Sequence, residues 1–472
     1  MNSILSGKKH IHMIGIGGSG MYPLAQVLHA KGYYLTGSDN NETDTLAAVR
    51  SMGIPVFLGQ RAENLEGADL VIYSAAIAKT NPERAAAEAS GVDMMERSVL
   101  LGIVSSWYKE AVCISGTHGK TTTSSMLAQI LFTAGVDLSA VIGGKLPCLG
   151  GSGRAGSSEA FVCEACEYVD TFLQLSPDIA VILNIDEDHM EYFKTLDNLK
   201  ASFTKFAQKS SQYVLFNGDD ANSCDAVSRV EGKTMISFGE GADCEWRASD
   251  VTINAQGQTV FTAWHLQEQL GTVTLNVPGR HNVLNAVAAI ASAMLIGLTF
   301  AQAAAGLLEF HGAKRRFEMH SRVAGIVVAD DYAHHPAEIA ATLRAAKAMP
   351  CKRVIAVHQP FTYTRTKRLL NDFADALSIA DIVALTDIMG GRETNEVGVY
   401  TRNLAEKIDG CIWIPQDETE AENDTRKYRN FDDICEKVCE TAKEGDLIIT
   451  LGCGDVNKLS KLIAERLAQK NV

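Results

Sequence analysis

The chain has 472 residues, with 43 Lys+Arg against 57 Asp+Glu and a formal net charge of −14. At roughly 100–200 residues per domain, that length predicts about three domains, each large enough to bury its own core. A hydrophobic share of 46% with only 10 Pro excludes a collagen-like or Pro-rich disordered chain, and the acidic balance argues against a general nucleic-acid binder, which needs a basic footprint.

In chain order, residues 10–16 read as a strand, followed by a Gly-rich turn and a helix over about 21–31. Strands are expected at 33–38 and 69–74. A second module opens with a strand at 111–115, a second Gly-rich loop and a helix over about 120–134. Strands at 160–164, 178–184 and 212–216 follow, then antiparallel-looking strands within 251–277 and helices at 281–296 and 299–309. The third module carries strands at 324–330, 353–358, 381–386, 411–414 and 446–451, with helices between them. This alternation predicts α/β architecture with largely parallel sheets. By its Gly content, 143–157 is expected to be a mobile surface loop, and 416–430 a polar, exposed connection.

No run approaches the roughly 18 apolar residues of a membrane helix, and the first residues carry their charges after a short apolar start, the reverse of an export signal. The 11 Cys are scattered and read as reduced thiols, so a cytoplasmic protein is expected. Cys163 and Cys166 form a lone CxxC; buried thiols on a strand account for it better than a metal or redox pair.

Two loops carry the chemistry. Gly15-Ile-Gly17-Gly18-Ser-Gly20 fits GxGxxG between a strand and a helix. Such glycines permit a tight turn and close backbone approach to phosphates, and the helix N-terminus adds unpaired N–H groups and partial positive charge. Asp39 stands where a ribose-binding acid sits in a dinucleotide site. This loop alone is compatible with NAD, with another diphosphate ligand, or with a turn needed only for packing. The second loop, Gly116-Thr117-His118-Gly119-Lys120-Thr121-Thr122, ends like a P-loop: backbone amides cradle phosphate, Lys120 reaches the β/γ-phosphates and Thr121 offers a hydroxyl to Mg²⁺. It departs from GxxxxGK[ST] because Ile114 stands where the first Gly belongs. Two phosphate sites in successive modules suit a two-substrate ATP enzyme. An NAD-dependent dehydrogenase would leave the second loop without a task, and a non-catalytic ATP-dependent switch or binding module is the third reading.

The ordered segments GIGGSGM (15–21), SGTHGKTTT (115–123), PGRHNVLNAVAAIA (278–291), KRRFE (314–318), DDYAHHP (330–336) and QPFTYTRT (359–366) resemble the Mur ligases over essentially the whole chain. The resemblance implies three domains: a Rossmann-like N-terminal domain binding the UDP-sugar over 1–103, a central P-loop ATPase-like domain over 104–320, and a C-terminal Rossmann-like domain binding the amino acid over 321–472. It implies ATP and Mg²⁺ as requirements and, as the activity, joining of L-alanine to the lactyl carboxylate of UDP-N-acetylmuramate through an acyl phosphate, in peptidoglycan precursor synthesis. Attachment of a recycled tripeptide to the same nucleotide sugar is the alternative within the family. A monomer or homodimer is expected, with no nucleic-acid or membrane partner.

By the same resemblance, Lys120 would grip the transferring phosphate, Thr121 and Glu164 would hold Mg²⁺, and His189 would hold a second Mg²⁺ or orient groups. His281, Asn282 and Asn285 would lie near the adenine of ATP, unless they cap a helix. Tyr332 and His334 would line the site that closes over the reaction, and Arg365 would meet the amino-acid carboxylate or the phosphate. Of Arg315 and Arg316, one would contact phosphate and the other form a hinge salt bridge. Gly15, Gly17, Gly18 and Gly20 would take the UDP diphosphate, with Asp39, Ser74 and Arg97 as further substrate contacts. Two positions depart from the family pattern: Thr362 stands where Arg is frequent, and Cys166 replaces an acid two residues after Glu164.

Overall fold

A computed structural model of the chain describes residues 4–391, 393–414 and 430–470. The connection expected over 416–430 lies outside the described residues except for Asn430. Among the described residues the strands form three sheets, and the architecture is α/β.

The first sheet contains β1 (His10–Ile14), β2 (Tyr34–Asp39), β3 (Val56–Leu58), β4 (Leu70–Tyr73) and β5 (Asp93–Glu96) in the order β3-β2-β1-β4-β5. All its pairings are parallel. The order reverses between β1 and its neighbours β2 and β4. The loop after β1 therefore opens at the switch point where α/β sheets bind ligands.

The second sheet contains β6 (Glu110–Ser115), β7 (Ser139–Leu146), β8 (Gly151–Arg154), β9 (Ala160–Glu164), β10 (Ile179–Ile182), β11 (Tyr213–Asn217), β12 (Thr234–Gly239), β13 (Trp246–Ile253), β14 (Thr259–His265) and β15 (Glu268–Leu275). Their order is β15-β14-β13-β12-β11-β10-β6-β9-β7-β8. β6 is buried at every position from Ala111 to Ser115, as a central parallel strand covered on both faces must be. β7 and β8 pair antiparallel, so the stretch expected to be a mobile loop is instead a hairpin at the sheet edge. Two of its glycines serve close approach: a side chain on Gly153 would overlap Pro23, and one on Gly156 would overlap the Asp137 carbonyl.

The third sheet contains β16 (Glu318–Val323), β17 (Ile326–Asp331), β18 (Arg353–His358), β19 (Ile382–Leu385) and β20 (Asp446–Leu451) in the order β16-β17-β20-β18-β19. Alternation along its strands divides two cores. Val327, Ala329, Val354 and Ala356 face one, whereas Ile326, Val328, Ile355 and Val357 face the other. The strand expected at 411–414 reduces to a single bridge, Ile412 to Ala384. β16 was not expected; it pairs antiparallel with β17.

Two compact bodies result, one comprising 1–251, 260–275 and 283–313, the other 252–259, 276–282 and 314–472. The first body holds the first two sheets apart from the facing ends of β13 and β14, and one hydrophobic core runs through both sheets, from Leu5 to Val227. The boundary expected at 103/104 falls inside the helix Arg97–Ser105. No helix among the described residues is long and apolar enough to cross a membrane.

Candidate functional site

The Gly15–Gly20 turn leaves β1 and enters the helix Tyr22–Ala30. Two amides anchor its start: Gly15 and Ile16 both donate to the Ser38 carbonyl, at 2.8 and 3.0 Å. Asp39 at the end of β2 accepts from the Gly17 amide at 3.1 Å and from Asn41 at 3.2 Å. Its carboxylate thus holds the turn closed, a task that a ribose-binding reading did not foresee. Arg97, at the start of its helix, lies against Gly20, where an added Cβ would sit 3.2 Å from the guanidinium. A cation stands beside the turn accordingly. Ser74 follows β4 at the same sheet edge. Ser152 of β8 donates to the Ser19 carbonyl at 3.2 Å, tying the edge hairpin to this turn.

In the second loop, Gly116 and Gly119 have φ of +136° and +86°, values that L side chains rarely adopt. Space forbids a side chain there too: a Cβ would lie 2.9 Å from Leu183 at Gly116 and 2.6 Å from Asn285 Oδ1 at Gly119. With Ile114 buried in β6, the cradle is the short Gly116–Gly119 turn. The helix Lys120–Thr133 starts without a side-chain cap. Its first-turn amides, those of Lys120, Thr121 and Thr122, have no intrahelical acceptor and are the natural cradle for an anion. Asn184 braces the loop from beyond β10: its Oδ1 accepts from the His118 amide at 2.8 Å and its Nδ2 donates to the His118 carbonyl at 3.0 Å. Thr117 exchanges hydrogen bonds with the backbone of Asp186.

Lys120 turns back over this loop. Its ammonium donates to the carbonyls of Gly116 and Thr117 and to both carboxylate oxygens of Glu167, at 2.9 and 3.1 Å. Burial pulls this ammonium down, but the carboxylates of Glu167 and Glu164 outweigh burial and hold it above the ordinary lysine value, so it stays charged. Next to it, Thr121 donates its hydroxyl to Glu164 Oε2 at 2.8 Å, and Gly143 of β7 donates its amide to the same oxygen at 2.9 Å. Burial pushes the Cys166 thiol up to about 11, so it contributes no charge between the two carboxylates. Cys163 is buried on β9 with its sulfur 3.3 Å from that of Cys113.

Thr121 and Glu164 supply hard oxygen donors at the mouth of a phosphate loop. That set fits Mg²⁺, which takes one or two protein oxygens and completes its shell with phosphate and water. His189 is the N-cap of the short helix Met190–Phe193. It pairs with Asp188 and Glu191 at 3.7 and 3.5 Å and meets the Tyr168 ring at a tilt, with centroids 4.7 Å apart. Among the described residues no three His, Cys, Asp or Glu gather as a metal cluster.

Asn282 and Asn285 lie within the helix His281–Leu295 rather than before it, so neither is its cap. Asn282 instead donates to the Pro278 carbonyl at 2.6 Å, and Asn285 abuts Gly119 at the phosphate end of the loop. His281 is exposed and lies over Gly279.

In the second body the adjacent arginines separate. Arg315 Nε donates to Asp330, a fully buried carboxylate, at 3.0 Å, and its Nη2 to the Gly452 carbonyl. Arg315 is therefore the structural ion pair. Arg316 and Arg315 both lie over the Tyr332 ring, at 5.1 and 4.9 Å from its centroid. Tyr332 also meets the ring of His334 edge-on at 5.5 Å, and His334 Nδ1 approaches the Tyr332 carbonyl at 3.0 Å. Asp331 accepts from the Phe317 and Ala333 amides, each at 2.7 Å. Burial pushes it up to about 6, against the pull of Arg316 and of those two amides.

Arg365 lies in the helix Tyr363–Arg368, whose N-cap is Thr362. Its charge acts on Cys453, whose thiol burial pushes up to about 12 and whose titration Arg315 and Glu338 also influence. Cys453 belongs to the Gly452-Cys-Gly454 turn between β20 and the helix Val456–Lys470. Gln359, after β18, closes this turn by accepting from the Val456 amide at 3.1 Å. β17, β20 and β18 are neighbours, so the ends of these strands bring Tyr332, Cys453 and Gln359 to one edge.

Sequence reasoning missed Glu167, Asn184 and this third turn. The turn had a signal, Gly-x-Gly between a strand and a helix; Glu167 stood inside the segment already examined for Glu164.

Comparison with known proteins agrees with this layout. The chain matches the Mur ligase family catalytic domain over 10–108, the Mur ligase middle domain over 114–293 and the Mur ligase glutamate ligase domain over 315–454. It is 40% identical over 459 residues to the UDP-N-acetylmuramate–L-alanine ligase of Caldanaerobacter subterraneus subsp. tengcongensis, covering 97% of each chain. Among solved structures it is similar to the UDP-N-acetylmuramate–alanine ligase of Thermotoga maritima, with a TM-score of 0.79 and 26% identity over 98% of this chain and all of that one. It is also similar to a murein peptide ligase of Psychrobacter arcticus, with a TM-score of 0.70 and 26% identity over 98% of this chain and 99% of that one. With three domain matches in order and a full-length relative at 40% identity, this chain belongs to the Mur ligase family.

Proposed function

We propose that the protein joins L-alanine to the lactyl carboxylate of UDP-N-acetylmuramate, using ATP, in peptidoglycan precursor synthesis. The observation that carries this reading is the pair of phosphate loops on one core, in a chain 40% identical along its whole length to alanine-adding ligases. A carboxylate is a poor electrophile until one of its oxygens is made a leaving group. ATP supplies that group by phosphorylating it, the alanine amine attacks the acyl phosphate, and the tetrahedral intermediate collapses to amide and phosphate.

In this reading the Gly15–Gly20 turn, with Arg97 beside it, takes the UDP diphosphate, and Ser74 lies on the same rim. The Gly116–Gly119 loop and the first-turn amides of Lys120, Thr121 and Thr122 take the phosphates of ATP, with His118 fixed by Asn184 and Asn285 packed on the loop. Lys120 stabilises the charge that grows on the transferring phosphoryl group. Thr121 and Glu164 hold Mg²⁺, which when bound offsets the negative charge of the phosphates. His189 serves as an orienting group on the loop after β10. On the second body Tyr332, His334 and Arg365 receive the amino acid, with Arg316 as the anion contact. The eleven cysteines are all free, which suits a reducing compartment, the cytoplasm.

The recycling alternative shares this fold, and solved peptide ligases resemble the chain too. Purified protein with ATP, Mg²⁺ and UDP-N-acetylmuramate, offered either L-alanine or the tripeptide, separates them. Phosphate release with L-alanine is expected; release with the tripeptide alone would sink the proposal.

A further inference from the structure

Glu167 has no task in the scheme above, yet it is 1% exposed and its side chain bonds to Lys120 through both oxygens. The same ammonium also serves the Gly116 and Thr117 carbonyls. An ammonium has three N–H donors and no more. All three are committed to the two loop carbonyls and to Glu167, so Lys120 can grip a phosphate only by giving up a partner it now holds.

The partners are unequal. The two carbonyls are neutral ends of a loop at whose mouth phosphate binds, and a phosphate oxygen replaces either one as acceptor. Glu167 is different: parting it from Lys120 strands an uncompensated carboxylate in a site closed to water, which is far more costly. The chain also couples the two acids. Glu164 and Glu167 leave the end of β9 three residues apart, and they meet successive residues of one helix, Thr121 and Lys120.

We infer that Glu167 is the pivot of the phosphate-gripping lysine: Lys120 keeps its bond to Glu167 while it exchanges a loop carbonyl for a phosphate oxygen. Glu167 is thus a positioning residue for phosphoryl transfer, acting through Lys120. This inference rests on the ATP-ligase reading and deepens it.

The test is a double-mutant cycle on the full chain with Glu167→Gln, Glu167→Asp, Lys120→Met and the double variant Lys120→Met/Glu167→Gln. The readouts are phosphate release, titration of Mg²⁺ with a non-hydrolysable ATP analogue, and thermal melting. Glu167→Gln is expected to lower kcat at least tenfold while KM for UDP-N-acetylmuramate and L-alanine stays within about twofold, and Glu167→Asp to recover part of the loss. Lys120→Met is expected to melt several degrees below the parent. Adding Glu167→Gln is expected to raise that melting point, because it removes the stranded charge, and to cost no further turnover.

Turnover of Glu167→Gln within twofold of the parent would overturn the inference. So would an equal fold-loss from Glu167→Gln with and without Lys120, or a double variant melting below Lys120→Met. A parent that binds the analogue but releases no phosphate with either amine would sink the ligase reading instead. The melting and titration arms would still decide the Lys120–Glu167 coupling, so the two failures are distinct.

Discussion

Arg315 and Arg316 are neighbours in sequence with separate work, and the separation is measurable. Arg315 neutralises Asp330, which is fully buried and also accepts from the Thr450 hydroxyl. Removing one partner of a buried pair strands the other, a loss of about 3–5 kcal/mol. Arg316 is half-buried over Tyr332, an interaction worth about 0.5–1 kcal/mol at such a site. Arg315→Ala is therefore expected to lower the unfolding free energy more than Arg316→Ala, whereas Arg316→Ala is expected to raise KM for ATP or L-alanine. Denaturant melts and steady-state kinetics on both variants check this; equal destabilisation would refute the division of labour. The motif KRRFE showed that two cations stand there but not that Arg315 is the one that meets Asp330. That depended on Asp330, fifteen residues on, and on the strand pairing that brings it back. Glu167 was illegible for a similar reason. A carboxylate three residues past a strand reads as solvated until the Lys120 side chain is seen folded onto it.

At the scale of elements, the hairpin β7–β8 is where sequence and structure part. Its glycines read as flexibility, but Gly153 allows contact: it packs on Pro23 at the start of the Tyr22–Ala30 helix, and Ser152 reaches Ser19 in the first phosphate turn. Gly143 likewise leaves room for Glu164, and a Cβ there would stand 2.8 Å from the Thr121 hydroxyl. Glycine content reports that a side chain is absent; whether entropy or crowding requires its absence is decided by what lies across the gap. Gly153→Ala is expected to destabilise the protein by about 1–3 kcal/mol, the usual cost of overpacking, and to weaken binding of the nucleotide sugar through Ser19. A mobile loop would tolerate the same substitution with a change under about 0.5 kcal/mol, so a denaturant melt discriminates. The buried strands were legible to within a residue or two because parallel strands covered on both faces are continuous apolar runs, as in Ala111–Ser115 and Leu447–Leu451. The strand expected at 411–414 failed because only Ile412 of that segment finds a partner, in β19.

For the whole molecule, three sheets carry three strand-to-helix turns, at Gly15–Gly20, Gly116–Gly119 and Gly452–Gly454. The net charge of −14 does not oppose two anionic nucleotides, since each turn has a cation near it: Arg97 at the first, Lys120 at the second, and Arg365, whose charge acts on Cys453, at the third. Over a few ångströms such a charge outweighs a diffuse surface field that salt screens within about 10 Å. What unites the three turns is the claim that ATP activates the lactyl carboxylate before the amine arrives. The direct measurement uses UDP-N-acetylmuramate carrying ¹⁸O in that carboxylate, with ATP, Mg²⁺ and L-alanine, and mass analysis of the phosphate released. One ¹⁸O per phosphate for each amide formed is the predicted result. Amide formation with unlabelled phosphate would show that no carboxylate oxygen becomes a phosphate oxygen, and would contradict the account.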